Sequence, residues 1–236
     1  MKYSVVICSY NKLEYLKRVV AGLEHAEGFK DHEYILSDDL STDGTLEWAE
    51  ESGFFDKILV MEEEGCYRLN TIRNRGIDAA SNGFVVLLDA DCVPEEHYFA
   101  GHDSVFEQNP RRLSVGFTHF FDSEGKKLHA PDHRNPWLKG AKQCKIGWMA
   151  AYGGNIAFSK KVWVEVGRFD ESFNGAWGLE DAEFAYRAHT VGVEIVAHRL
   201  SVVRHLQHPH SGTKEMRQGR GPNTKKFKEK HGFSPC

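Results

Sequence analysis

Apolar residues in the first half of this chain fall into short unbroken blocks rather than alternating patterns. Tyr3 to Cys8, Glu33 to Ser37, Lys57 to Met61 and Phe84 to Leu88 each read as strands, and the last is a run of five apolar residues after Gly83. Such runs suit strands buried on both faces, as in the middle of a parallel sheet, although a short buried helix gives the same pattern. Between them, Leu13, Leu16, Val19, Val20 and Leu23 recur at helical spacing. Ser41-Thr42-Asp43-Gly44-Thr45 supplies turn and capping residues before a helix through Trp48, and Leu69 to Ala80 predicts a helix carrying Arg73, Asn74 and Arg75. Pro94, at a first-turn position, predicts a helix running through Phe106. This alternation of strand and helix marks βα units and an α/β fold.

After Pro110 the pattern changes. Leu113 to Phe121 and Lys126 to Leu128 flank Asp122-Ser123-Glu124-Gly125 as in a hairpin, and residues 129–147 are polar and loop-like, with Trp137 among them. Gly153-Gly154-Asn155 leads a strand over Ile156 to Ser159, and Lys160 to Val166 predicts a brief helix. A Gly-rich stretch ending in Trp177-Gly178-Leu179-Glu180-Asp181 runs into a helix with Phe184, Ala185, Ala188 and Val191 on one face. Two short strands, near Glu194 to Ala197 and Ser201 to Val203, then lead to His205.

The 236 residues, 41% hydrophobic and 27% charged, are enough for one domain with a substantial core. No apolar run approaches a membrane span, and Met1-Lys2 leads directly into a strand-like block rather than a signal peptide. Five cysteines without a CxxC pair read as reduced thiols, which predicts a cytoplasmic protein. Peripheral association with a membrane surface stays open. The net charge of −4 is unevenly placed: seven Lys/Arg against two Asp/Glu from Lys214 to Cys236 give that stretch +5 and leave −9 for the rest. An acidic body with a basic tail is not a nucleic-acid footprint; the tail reads either as a solvated end or as a flap over an anionic ligand.

Carboxylates gather where strands end. Asp89 and Asp91 follow the five-residue apolar run, and at i and i+2 of an extended chain they would point the same way. Two such charges repel unless a divalent cation bridges them; the plainer reading is a polar turn closing a strand. Asp38-Asp39 ends another predicted strand. Asp39 could accept hydrogen bonds from a base or ribose, or cap the Ser41 loop. Arg73 and Arg75 suit phosphate, though helix arginines are commonly just solvated. Glu180 and Asp181 suit the first turn of a helix, or general-base work on a sugar hydroxyl, with Trp177 as a stacking face. His205, His208 and His210 follow a strand without the cysteines of a structural zinc site. One histidine sharing a cation with Asp89 or Asp91 fits better, and mixed nitrogen and carboxylate ligation favours manganese, with magnesium as the alternative.

In order, Ser4 to Asn11, Asp38 to Thr45, Arg73-Asn74-Arg75-Gly76 and Asp89-Ala90-Asp91 resemble the donor-binding half of nucleotide-sugar glycosyltransferases of the GT-A fold. Gly153-Gly154-Asn155, Gly167 to Glu171, Trp177 to Asp181 and Val203-Arg204-His205 resemble the acceptor half of β-galactosyltransferases, polypeptide N-acetylgalactosaminyltransferases and chondroitin-type polymerase domains. The resemblance implies a Rossmann-like, mostly parallel sheet with a smaller acceptor-side sheet. The halves would be 1–110 and 111–205, followed by a basic flexible flap over 206–236. It implies a UDP-sugar donor, a glycan or other hydroxyl acceptor, and Mn2+. Asp39 would read the base with Ser9 and Tyr10 nearby, and Arg73 would face the nucleotide. Asp89-Ala90-Asp91 would meet the ribose and the metal, with His205 as the metal's other ligand. Asp181 would be the base, with Glu180 and Trp177 on the sugars. Leu179 stands where relatives often have Gly. Asp181 and Asp91 stand where retaining relatives commonly have Asn and His, which favours inversion. The alternatives are a retaining transferase of this fold and a sugar nucleotidyltransferase. The latter wants a Gly-rich basic loop where this chain has Ser9-Tyr10-Asn11-Lys12.

Overall fold

The computed structural model describes residues 1–63, 65, 67–122, 125–128, 140–207 and 214–235, the side chains of 214–220 excepted. Trp137, Cys66, Cys236, His208 and His210, and the side chains of Lys214, Arg217 and Arg220, therefore lie outside the described residues.

Four strands, β1 (Tyr3–Ser9), β2 (Glu33–Asp38), β3 (Lys57–Val60) and β4 (Phe84–Asp89), run parallel in the order β3-β2-β1-β4. Their apolar runs are explained by cover on both faces. Val5 and Ile7 of β1 and Val86 and Leu88 of β4 pack with α1 (Leu13–His25) and α4 (Tyr98–Gln108). Val6, Val85 and Leu87 face α3 (Leu69–Ala79), α5 (Lys160–Val166) and α6 (Glu180–Thr190) on the other side. A shorter helix, α2 (Thr45–Ser52), follows β2.

What the sequence suggests as a smaller second sheet continues the first. β8 (Asn155–Ser159) adds antiparallel to β4, then β6 (Arg112–Phe121) and β9 (Glu194–Leu206) follow; β5 (Cys92–Pro94) and β7 (Gln143–Lys145) both pair antiparallel with β9. The helix expected to open at Pro94 opens at Tyr98 instead, because Cys92 to Pro94 form an edge strand, where a proline without an N–H is tolerated. The two short strands expected before His205 are one strand with a break in register. Gly116 pairs with His198 but Phe117 with Val202. Asn155 Nδ2 braces that break, donating to Phe117 O at 3.3 Å and Ser201 O at 3.0 Å. The C-terminal part of β9 is thereby turned onto β5. The hairpin after β6 is present, with Leu128 N donating to Phe120 O and Asp122 N to Lys126 O, while Ser123 and Glu124 lie outside the described residues. Val191, expected on the buried face of its helix, is exposed just past the end of α6.

Over 206–236, where a basic flexible flap is expected, much of the stretch is helical. A helix, α7 (Lys214–His231), spans most of it and carries Pro222 inside; Asn223 and Phe227 are fully buried. Phe227 stacks on Trp148 and packs with Phe173, Leu179 and Ala182, which fixes this part of the helix to the second half of the fold.

Gly76 sets how closely α3 approaches the sheet: a Cβ there would overlap Val6 Cγ1. In an open helix, Gly→Ala gains up to about 1 kcal/mol. Here Gly76→Ala should instead lower stability by about 1–3 kcal/mol, the usual cost of overpacking. Urea unfolding checks this, and adding Val6→Ala should restore part of the loss.

Candidate functional site

The C-terminal ends of β1, β2 and β4 form one rim, with β1 central, so that Cys8 is level with Ser37 on one side and Asp89 on the other. The chain steps outward from β1 to β2 and β3, then crosses back to add β4 on the other side of β1, which makes this rim a switch point of the kind beyond which α/β sheets bind ligands. Asp38 is fully buried and caps the loop after β2. Its oxygens accept from Ser41 N at 2.6 Å and Ser41 Oγ at 2.8 Å, and burial pushes its carboxyl up despite these bonds. That leaves Asp39 for other work. Its carboxylate accepts from Arg68 Nε at 2.8 Å, and its backbone N–H donates to Ser9 O. Ser9 is buried and Tyr10 exposed beside it.

The centre of the site is Arg73. α3 presents Asn70, Arg73, Asn74 and Ile77 on one buried face, polar where a core helix would be apolar. Asn70 Nδ2 donates to Asp170 O at 2.8 Å, and Asn74 Nδ2 donates to Phe169 O at 2.9 Å. Arg73, 1% exposed, donates from Nη1 to Asp181 Oδ1 at 2.5 Å and lies 3.8 Å from Asp89 Oδ1. Burial opposes the guanidinium's charge, but Asp181 and Asp89 outweigh it and raise its pKa. Gly153 and Gly154 leave the room: a Cβ on Gly153 would overlap Asp181 Oδ1, and one on Gly154 would come 2.6 Å from Asp89 Oδ2.

Asp181 and Glu180 begin α6. The preceding Leu179 adopts φ +70°, a left-handed conformation costing a non-glycine residue roughly 1–2 kcal/mol. Its side chain is buried against Phe173 and Phe227, which offsets that cost. The turn itself is fastened by Asn223, whose Nδ2 lies 2.8–3.1 Å from the carbonyls of Phe173, Ala176 and Gly178. Trp177 in that turn is 38% exposed. Glu180 is buried. Tyr67 Oη donates to its Oε1 at 3.3 Å, and Oε2 has no partner among the described residues. Burial, followed by the Asp181 charge, raises its carboxyl to about 7.

Asp89 and Asp91 do not point together as the period-2 argument expects, because Ala90 and Asp91 form a turn rather than extended chain. Asp89 faces Arg73. Its side chain is 37% exposed; the desolvation that remains and the charges of Asp91 and Asp181 push its carboxyl up, against the pull of Arg73. Asp91 turns toward β9, where His205 Nε2 lies 3.7 Å from its Oδ1; Lys12 Nζ holds its Oδ2 at 3.3 Å. The Phe120 ring packs beside His205.

The sequence matches the family described as Glycosyl transferase family 2 over residues 4–167, and the N-terminal domain of galactosyltransferase over 139–211. The chain belongs to glycosyl transferase family 2. Over 225 residues it is 28% identical to chondroitin synthase of Escherichia coli, covering 80% of this chain and 32% of that protein. Over 246 residues it is 26% identical to validoxylamine A glucosyltransferase of Streptomyces hygroscopicus, covering 90% and 56%. The chain thus spans between about a third and just over half the length of these relatives. In structure it resembles GalNAc-T7 with UDP, GalNAc and Mn2+ (TM-score 0.73, 18% identity, 97% of this chain and 48% of that one). It also resembles S. aureus TarS 1–349 in complex with UDP-GlcNAc (TM-score 0.68, 15% identity, 92% and 61%). The fold is that of GT-A glycosyltransferases.

Within this glycosyl transferase family 2 fold, Asp91 lies beside His205 and Asp39 beside Ser9, the pairings read from the sequence, while Arg73 and Asp89 are placed otherwise than expected. Arg73, expected to face a nucleotide, lies beneath Asp89 and Asp181 and is almost fully enclosed. Asp89 does not converge with Asp91 and His205, whereas Cys92 does. One carboxylate and one imidazole side by side fit a divalent cation such as Mn2+. Four neighbours went unnoticed in the sequence: Arg68 on Asp39, Lys12 on Asp91, Tyr67 on Glu180 and Asn223 on the turn. The spacing of Asn70, Arg73 and Asn74 on one helix face was a legible sign of a buried polar seam. Arg68, Lys12 and Asn223 gave no local signal. No helix among the described residues is long and apolar enough to cross a membrane.

Glu180 makes stability depend on pH. Its folded pKa of about 7 lies above the ordinary carboxylate value, so the folded state holds the proton more tightly. Its contribution is therefore greatest below pH 4–5 and is lost as pH rises through 7. Glu180→Gln should gain roughly 1–3 kcal/mol over the parent at pH 8 and nothing at pH 4.5. Urea midpoints at the two pH values check the sign; an equal gain at both would refute it.

Proposed function

We propose that this domain is a metal-dependent, inverting glycosyltransferase that moves a hexose or N-acetylhexosamine from a UDP-sugar to a hydroxyl of a glycan or other acceptor. Arg73 carries the reading: one buried guanidinium ties Asp89, on the rim where a nucleotide would lie, to Asp181, on the helix that follows the Gly-rich turn. Family membership supports sugar transfer, and the UDP, UDP-GlcNAc and Mn2+ in the similar structures support a uridine nucleotide donor and a cation.

In this reading residues 1–110 hold the donor, with Asp39 on the base and Ser9 and Tyr10 beside it. Residues 111–205 hold the acceptor, with Trp177 as a stacking face for a sugar ring. Asp181 lies at the surface end of its ion pair, 22% exposed, so one oxygen can pair with Arg73 while the other faces an acceptor. It takes the proton of the attacking hydroxyl as that oxygen bonds to the anomeric carbon from the face opposite the leaving UDP. Asp91 and His205 would hold the cation, whose chemistry is to stabilise the negative charge gathering on the diphosphate. Glu180, buried beside Asp181, shapes the floor on which the sugars would rest.

Chelator should abolish transfer and Mn2+ restore it, and Asp91→Asn should remove nearly all activity without shifting the thermal midpoint. Full activity in chelator would remove the metal from the reading. Asp181→Asn should lower turnover by roughly 100- to 10,000-fold with UDP affinity little changed. A dead Glu180→Gln beside an active Asp181→Asn would move the base to Glu180. The anomeric configuration of the product, read by NMR, separates inversion from retention.

A further inference from the structure

The function proposed above leaves the last helix without a role. α7 begins at Lys214, beyond both family matches, the later of which ends at residue 211. Its side chains act on one turn. Asn223 is fully buried, with Nδ2 3.1 Å from Phe173 O, 2.9 Å from Ala176 O and 2.8 Å from Gly178 O. Lys226 Nζ donates to Ser172 O and lies 3.4 Å from Asn174 O. These five carbonyls accept from no backbone N–H among the described residues. No helix or strand ladder therefore shapes the turn, in which Gly175, Gly178 and Leu179 all have positive φ. Its shape is supplied from outside, by α7. The amide cannot be reversed, because Oδ1 would then face three carbonyls. As it stands, Oδ1 is buried without a partner among the described residues, a cost tolerated so that both N–H groups serve the turn.

We propose that Asn223 is a positioning residue for the acceptor: through this turn it sets Trp177 against the receiving sugar, and it has no part in holding the donor. The inference rests on the function proposed above. The two sides of the site are held separately. Asp181 is tied by Arg73 on α3, whereas the turn before it is tied by α7. Loss of the amide therefore leaves the base on its arginine and frees Trp177. The helix itself stays docked, since Phe227 still stacks on Trp148 and Lys230 still reaches Asp170 and Glu183. An acceptor then binds poorly, but water needs no stacking face. Its oxygen bonds to the anomeric carbon, the bond to UDP breaks, and its proton passes to Asp181. Without Asn223 the enzyme drifts from transfer toward donor hydrolysis.

Hydrogen exchange and kinetics on the full chain test this. Gly175 N donates to Tyr67 O and Glu183 N to Leu179 O. In Asn223→Ala these two amides should exchange at least about tenfold faster, while the amides of β1 to β4 keep their rates. Leu23→Ala, in the core beside β1, is the control for general destabilisation and should show no such selectivity. Acceleration spread evenly along the Asn223→Ala chain, or none, overturns the proposal. Calorimetry with UDP and Mn2+ should give parent and variant the same affinity; a loss in the variant also overturns it. The kinetic arm uses whichever of UDP-glucose, UDP-galactose and the two corresponding UDP-N-acetylhexosamines the parent hydrolyses, with p-nitrophenyl hexosides as acceptor probes. Hydrolysis should stay within about twofold, while the acceptor KM rises at least about tenfold and kcat falls far less. Trp177→Ala should raise the same KM, and the double variant should raise it no further. Hydrolysis that falls in step with transfer, or KM effects that add, overturns the proposal. Should Asn223→Ala fail to fold, Lys226→Met serves instead and should give the same pattern at roughly threefold. If the parent neither binds UDP nor hydrolyses any of these donors, the proposed function fails, and the exchange pattern still decides whether Asn223 sets the turn.

Discussion

A guanidinium with almost no access to water is expensive, and it persists here because two carboxylates from distant parts of the chain meet it. Removing a charge from water costs several kcal/mol, returned only when the pairing geometry is good. The bond of Arg73 to Asp181 at 2.5 Å and its approach to Asp89 at 3.8 Å return part of that cost, while its Nε is buried without a partner among the described residues. The surroundings follow from this pairing. Gly153 and Gly154 must lack side chains so that the carboxylates fit, and Asn70 and Asn74 on the same helix face secure the turn that follows Phe169. A buried charge that needs both halves of the fold to be in place also penalises arrangements in which they are not.

The other half of the site depends on a strand that changes partner. β9 pairs with β6 on both sides of its register shift, and on its other edge it exchanges β7 for β5. That redirection brings His205 to Asp91, 114 residues earlier in the chain. Asn155 spans the shift with one amide group. The Gly-Gly-Asn stretch thus serves two sites at once: its glycines make room for Asp181 and Asp89, and its asparagine steers the strand that delivers the histidine.

Much of the architecture could be read from the sequence because it rests on local pattern. Unbroken apolar runs mean two-sided cover, and helical spacing between them means crossover helices; β1 to β4 follow. Pro94 misled because its missing N–H suits an edge strand as well as a helix start, and only the distant β9 decides between them. Asp89 and Asp91 misled because a period of two holds for extended chain and fails in a turn. The roles of Asp38 and Asp39 could not be separated by eye, since which of two adjacent carboxylates turns inward depends on the left-handed Leu40 and the loop it opens. The partnerships of Lys12, Arg68 and Asn223 are long-range, and no local pattern encodes them.

The clasp between Asn223 and the turn before Glu180 carries a kinetic consequence. The two are 45–50 residues apart in sequence, with all of α6 and β9 between them. Loop length does not set the order, since Tyr3 of β1 pairs with Phe84 of β4 across a longer stretch. What sets the clasp apart is that it sits on α7, the last helix of the chain. Until α7 docks, Leu179, in its strained conformation, has no Phe227 to rest against. The turn that presents Asp181 therefore settles only after the final helix has found its place.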